Sequence, residues 1–200
     1  MKKILLVLLL LSSVSVDSQA QSWADMLKSL FGMSTKKSEE IIPETTHIKA
    51  SELAKTWLFS EPVIDYTGSD PVATMAVSAL EGQMEGLMAK AGIQSGRDRV
   101  TFKTNKTLTI EINGVVAMGN YTYNPSTGEI TMSVSMKEKT ATLSGQTECE
   151  NGVLKLVFDA NHVLSTMKAA APSLADHDYV KIASSVIDTY PGIRLGGTFK

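Results

Sequence analysis

The spacing of apolar residues changes period several times along the chain, and each change marks an element. In QSWADMLKSLFGM, Trp23, Met26, Leu27, Leu30 and Phe31 fall three or four residues apart and Gly32 follows as a stop, which predicts a short amphipathic helix. The polar stretch STKKSEEIIPETTH, interrupted by Pro43, reads as a linker, so that the helix either packs back on the rest of the chain or holds a partner. TWLFSEPVIDYT, from Thr56 to Thr67, is rich in aromatic and branched residues and predicts a first strand with a bulge or break at Pro62. Asp70 then stands as a helix cap with Pro71 at the first helical position. Val72, Met75, Ala76, Leu80, Met84, Leu87 and Met88 recur at helical spacing and give a long helix that Gly92 ends.

From Arg99 to Asp159 the period is two. Val100 and Phe102 share a face, as do Leu108, Ile110 and Ile112; Asn113 and Gly114 form a hairpin turn pair. Ala117, Gly119, Tyr121 and Tyr123 follow on one parity, and the NPSTG turn leads to Ile130, Met132, Val134 and Met136. The next strand aligns Ala141, Leu143, Gly145, Thr147 and Cys149, and the Asn151–Gly152 turn leads to Leu154, Leu156 and Phe158. Six consecutive strands with short turns make an antiparallel meander with one apolar face. Helical spacing returns in HVLSTMKAAAP, opened by Asn161, and in YVKIASSVIDTY, opened by Asp178. The closing IRLGGTF alternates again and is expected to pair with the strand containing Trp57. The fold class is therefore α+β, mostly β, with about eight strands, a long helix after strand 1 and two helices before the last strand. Because open edges invite aggregation, the meander either closes into a barrel or wraps half-open around the long helix.

Residues 1–20, MKKILLVLLLLSSVSVDSQA, have the two-lysine start, short apolar run and small residues Ser18 and Ala20 of a cleaved export signal. The run from Ile4 to Leu11 is far shorter than the roughly 20 residues that a bilayer span needs. No cysteine lies near the expected cut to accept a lipid, so the reading is a soluble periplasmic or secreted protein with no integral membrane span. The organisation expected is signal peptide 1–20, amphipathic helix and linker 21–49, and a folded domain 50–200. With 19 Lys and Arg against 21 Asp and Glu the net charge is −2, which offers no electrostatic reason to expect nucleic acid as partner.

The series WLFSEPVIDY, AGIQSGRDRVTFKTNKTLTIEING, GNYTYNPSTGEITM and IDTYPGIRLGGTFK resembles a family of secreted lipocalin-like proteins from Bacteroidales, domain of unknown function 4923. The likeness covers about residues 50–200. It implies a lipocalin-like meander or barrel and an exported location, and it brings no catalytic residues.

Candidate chemistry is sparse. His47, His162 and His177 have no spacing suited to a metal; Asp176 and Asp178 beside His177 are explained by turn formation and helix capping, so no metal and no cofactor is expected. Cys149 has no local base or positive charge and reads as a small apolar residue at a strand end. Glu111, Glu129, Glu138, Glu148 and Glu150 fall mostly on the outward parity, and no phosphate loop or serine elbow occurs, so no enzyme activity is expected. Arg194 is expected to point outward or pair with an acid such as Asp188. Tyr121, Tyr123 and Met132 face inward, where they either fill the core or line a ligand cavity. Two functions follow: an exported noncatalytic protein binding a small hydrophobic or amphipathic ligand, or an envelope structural or assembly protein that contacts another protein through the Trp23–Phe31 segment.

Overall fold

The computed structural model describes residues 47–90, 92–136, 139–170 and 178–200. The expected leader, the Trp23–Phe31 helix, its linker up to residue 46, and Asp176 and His177 lie outside the described residues. The elements are α1 (Ala50–Leu53), β1 (Thr56–Tyr66), α2 (Pro71–Lys90), β2 (Arg99–Phe102), β3 (Thr107–Ile112), β4 (Val115–Tyr123), β5 (Glu129–Met136), β6 (Lys139–Glu150), β7 (Val153–Asp159), α3 (Ala160–Ala170), α4 (Asp178–Thr189) and β8 (Ile193–Phe199).

The eight strands form a closed antiparallel barrel in chain order, and β8 completes it by pairing with both β7 and β1. The half-open alternative gives way, yet the long helix does take a place in the wall. β2 pairs only with Thr56–Leu58, while β1 runs on to Tyr66 along β8. α2 packs along this β1 overhang, with Ala73, Ala76, Val77 and Leu80 buried, and the Glu81 carboxylate accepts the N–H of Ile64 at 3.4 Å. Pro62 has the parity of Ile64, so its missing donor falls on the side where no strand asks for one. That is why the strand is regular at Pro62. The irregularity lies between Phe59 and Glu61, at Ser60, where β1 leaves β2 and continues beside β8.

Turn chemistry follows the sequence closely. Asn113 and Gly114 (φ 50° and 74°), like Asn151 and Gly152 (φ 51° and 80°), adopt the paired left-handed conformations of a two-residue hairpin. The Asp70 carboxylate accepts the N–H of Val72 at 2.8 Å, and α2 ends where Gly92 turns left-handed and Ile93 N–H reaches back to the Met88 carbonyl. α3 starts one residue earlier than Asn161: it is Asp159, the last residue of β7, whose carboxylate accepts the N–H of His162 at 2.8 Å.

Barrel closure asks for close backbone approach at Gly196. A Cβ there would stand 1.8 Å from the Leu156 carbonyl oxygen on β7, a rigid backbone atom with no room to yield. Gly196→Ala is therefore expected to destabilise the protein by about 2–3 kcal/mol, as overpacking does, measured as a lower urea midpoint. A variant as stable as the parent would show that the β7–β8 seam is not this tight.

The barrel interior is uneven. At the α1 end it is solid: Ile48, Leu53, Trp57, Val100, Phe102, Leu108, Tyr121, Ile130 and Leu154 are buried together. The Trp57 indole N–H donates to the Leu53 carbonyl at 2.9 Å, so α1 and the indole plug that end jointly. On the outer face, Arg194 pairs with Asp65 rather than Asp188, because Asp65 is its cross-strand neighbour on β1. Lys155 joins Asp65 at 3.2 Å and Glu148 at 3.3 Å, which makes a four-residue charge network over β1, β8, β7 and β6. Burial pushes the Asp65 carboxyl up, but the charges of Lys155 and Arg194 outweigh it and leave the group below its ordinary value.

Candidate ligand-binding cavity

Toward the end opposite α1 the inward side chains shrink. Ala117 lies opposite Ile110, Ala141 opposite Val134, and Gly197 opposite Leu156, so that three cross-strand pairs each contribute only one sizeable group. The space left over is a cavity of about 300 Å³. That volume is at the lower bound for a small-molecule site. Ile110 and Ile112 of β3, Val115 of β4 and Leu143 of β6 form one wall. Phe59, Phe199 and Phe158 form the opposite one, with the Phe59 and Phe199 rings edge to face at 5.8 Å. Val100, Met132 and Leu156 make the floor where the cavity meets the solid core. Met88 of α2, Ile93 of the following loop, and Val163 and Thr166 of α3 also border it.

The two charged side chains of the lining, Asp98 and Arg99, are engaged elsewhere. Asp98 is buried and its carboxylate accepts three hydrogen bonds: from Gln94 N–H (2.8 Å), Asn113 N–H (3.0 Å) and the Arg97 Nε–H (3.0 Å). Its carbonyl also accepts the N–H of Phe59. Asp98 thus ties the α2–β2 loop, the β3–β4 hairpin and β1 together at the edge of the cavity. Burial raises its carboxyl, and the bonds from Arg97 and the two backbone N–H groups more than offset that, so the group titrates below its ordinary value. Arg99 turns to Glu111, with Nε 2.9 Å from a carboxylate oxygen.

The three residues expected at a site separate. Met132 lies on the cavity floor. Tyr121 and Tyr123 lie in the solid end: the Tyr121 hydroxyl donates to the Lys103 carbonyl at 2.8 Å, and that of Tyr123 to the Ile48 carbonyl at 2.5 Å. Tyr121 also meets Phe102 edge to face at 4.9 Å. Burial pushes both phenols up. The other lining residues are not singled out by any functional group in the sequence; the inward parity of Ala117 and Ala141 is visible there, and their lack of bulk is the signal for a cavity.

Among the described residues no three His, Cys, Asp or Glu side chains gather in a way that could hold a metal. Cys149 packs partly buried against the core, and burial pushes its thiol up, away from a reactive thiolate. No described helix is long and apolar enough to cross a membrane.

A family model described as lipocalin-like domain, DUF4923, matches residues 27–200. The chain belongs to this family. No curated protein and no solved structure matches it. For this DUF4923 chain the match begins inside the expected Trp23–Phe31 helix, so the family's domain reaches further toward the N-terminus than the resemblance over 50–200. A closed eight-stranded barrel with a lipocalin-like family and an apolar cavity is consistent with a noncatalytic binding protein.

Proposed function

We propose that this DUF4923 protein is exported and binds a small apolar or amphipathic molecule in the cavity between α2, α3 and the barrel floor. The observation that carries the reading is the chain's placing of Ala117 and Ala141 at inward positions that open a cavity of about 300 Å³, bounded by aliphatic and phenylalanine side chains. An apolar lining of this kind offers water few hydrogen-bond partners and gains from hydrocarbon filling. Met132 is the residue of the original trio that would touch the occupant, while Tyr121 and Tyr123 would support the floor from below.

The test is expression with the leader in an exporting host, followed by mass measurement and solvent extraction of the purified chain. The expected result is a protein cut after Ala20 that carries an extractable apolar molecule or takes one up. Ala117→Phe fills the cavity and is expected to abolish uptake with the fold intact, whereas Tyr121→Phe is expected to cost about 1 kcal/mol of stability and leave uptake unchanged. Uptake that survives Ala117→Phe and is lost in Tyr121→Phe contradicts this placement.

A second reading, an envelope assembly protein acting through protein contacts, is favoured by Met118 and Val116. They stand 68% and 52% exposed on the outer face of β4. On that reading Met118→Lys releases the protein from envelope fractions without changing its stability; unchanged retention removes the motive.

A further inference from the structure

We infer that the cavity holds the aliphatic tail of an amphiphile and leaves its head group in solvent, so that affinity follows tail length and hardly depends on the head. The inference rests on the cavity reading above and specifies its ligand.

Three observations carry it. The first is that the charged side chains among the described lining residues are already paired. The Asp98 carboxylate is consumed by Gln94, Asn113 and Arg97, and the Arg99 guanidinium is turned to Glu111. Among the described residues, the buried side-chain atoms without a partner, His47 Nδ1 and Arg194 Nε, belong to residues outside the lining. A ligand that carried a carboxylate, amine or hydroxyl to the floor would bury it against Val100, Met132 and Leu156 with nothing to bond to, a cost that only an all-hydrocarbon segment avoids.

The second observation is shape. Successive inward residues on a strand are about 7 Å apart. The cavity spans two such steps or fewer on each wall: Ile110 and Ile112 on β3, Met132 and Val134 on β5, Ala141 and Leu143 on β6. With the helical side chains at its border, its depth is roughly 10 Å. A polymethylene chain, whose carbons stand about 4 Å from their neighbours, can run down this depth against aliphatic and phenylalanine side chains.

The third is the border. Thr166 offers a hydroxyl, and the Arg99 side chain is 46% exposed, but its guanidinium is bound to Glu111. A head group there meets water and already paired charges, and exposed pairs of this kind contribute little selectivity.

The full chain is titrated calorimetrically with decanoate, decyltrimethylammonium and decyl maltoside, each below its micelle concentration, and then with the hexyl to tetradecyl members of one series. The expected dissociation constants agree within about threefold across the three heads. Within the series, affinity rises about fourfold per methylene and stops rising once the cavity is full. Ala117→Phe, shown to be folded by its circular dichroism, loses decyl binding. A preference of about tenfold or more for one head, lost in Arg99→Ala or Thr166→Val, overturns the inference by exposing a head-group anchor. Binding of the compact bicyclic alcohol borneol without binding of decyl chains also overturns it while the cavity reading stands. If neither class binds, the cavity reading itself falls.

Discussion

Trp57→Ala is expected to lower stability by about 3–5 kcal/mol, the largest single loss in the molecule. Trp57 is 1% exposed and sits where β1, β2 and α1 meet. Removing the indole takes away its buried apolar surface, opens a cavity beneath Leu53, and leaves the Leu53 carbonyl with the Lys55 N–H but without its indole donor. Lys55, whose Nζ lies 3.9 Å from the ring centroid, loses its cation–π partner as well. Against a total stability of about 5–15 kcal/mol for a domain, this loss leaves little margin. Trp57→Phe retains most of the packing and gives up the N–H bond, so its expected cost is about 1–2 kcal/mol. Urea unfolding of the pair distinguishes the roles: equal losses would mean that the indole bond, and not the packing, holds α1 in the end of the barrel.

Asp98→Ala is expected to cost about 3 kcal/mol near neutral pH, within the range for removing one member of a buried, hydrogen-bonded charge network. Two backbone N–H groups, of Gln94 and Asn113, and the Arg97 guanidinium lose their acceptor together. The sign of the pH dependence follows from the depressed titration of Asp98. A carboxyl that ionises more readily folded than unfolded contributes its full stabilisation above its unfolded value of about 3.9. That contribution fades as the pH falls through the lower folded value. Parent and Asp98→Ala proteins are thus furthest apart near pH 7 and converge below about pH 4. Asp65, shifted in the same direction by Lys155 and Arg194, adds to the acid loss in both proteins and does not affect their difference. A gap that widens on acidification contradicts the assignment.

Much of the fold was legible because local chemistry and the hydrophobic period agreed. Asn113–Gly114 and Asn151–Gly152 set two hairpins, the alternation on β2 to β7 set the inner face, and Asp70–Pro71 with Gly92 bounded α2. The misses have physical causes that a single strand does not display. Pro62 disturbs nothing because β1 has outrun β2, a fact about the length of a neighbour 37 residues away in β2. Arg194 met Asp65 because barrel closure sets that register, and no pattern local to Arg194 contains it. Asp159 caps α3 while it is still paired within β7, so strand periodicity concealed its second role.

The site was less legible than the fold. Inward parity was correct for Tyr121 and Tyr123, but parity says nothing about height along the barrel, and both tyrosines stand at the end that α1 plugs. Hydroxyls drew attention as ligand-facing groups, and both are spent on backbone carbonyls of the Lys103 turn and the segment at Ile48. The informative signal was the opposite of a functional group: alanine and glycine at inward positions of the alternate strands β4, β6 and β8, where a packed barrel would carry leucine or isoleucine.

The most direct measurement is a crystal structure of the full chain under xenon pressure. Xenon enters dry apolar cavities and reports their position without a chosen ligand. The expected result is a xenon peak between Val134, Leu143 and Phe158, with none beside Tyr121 or Tyr123 and with the peak absent in Ala117→Phe. A barrel that admits no xenon at this end, or that holds ordered water there, contradicts an apolar ligand site in this cavity.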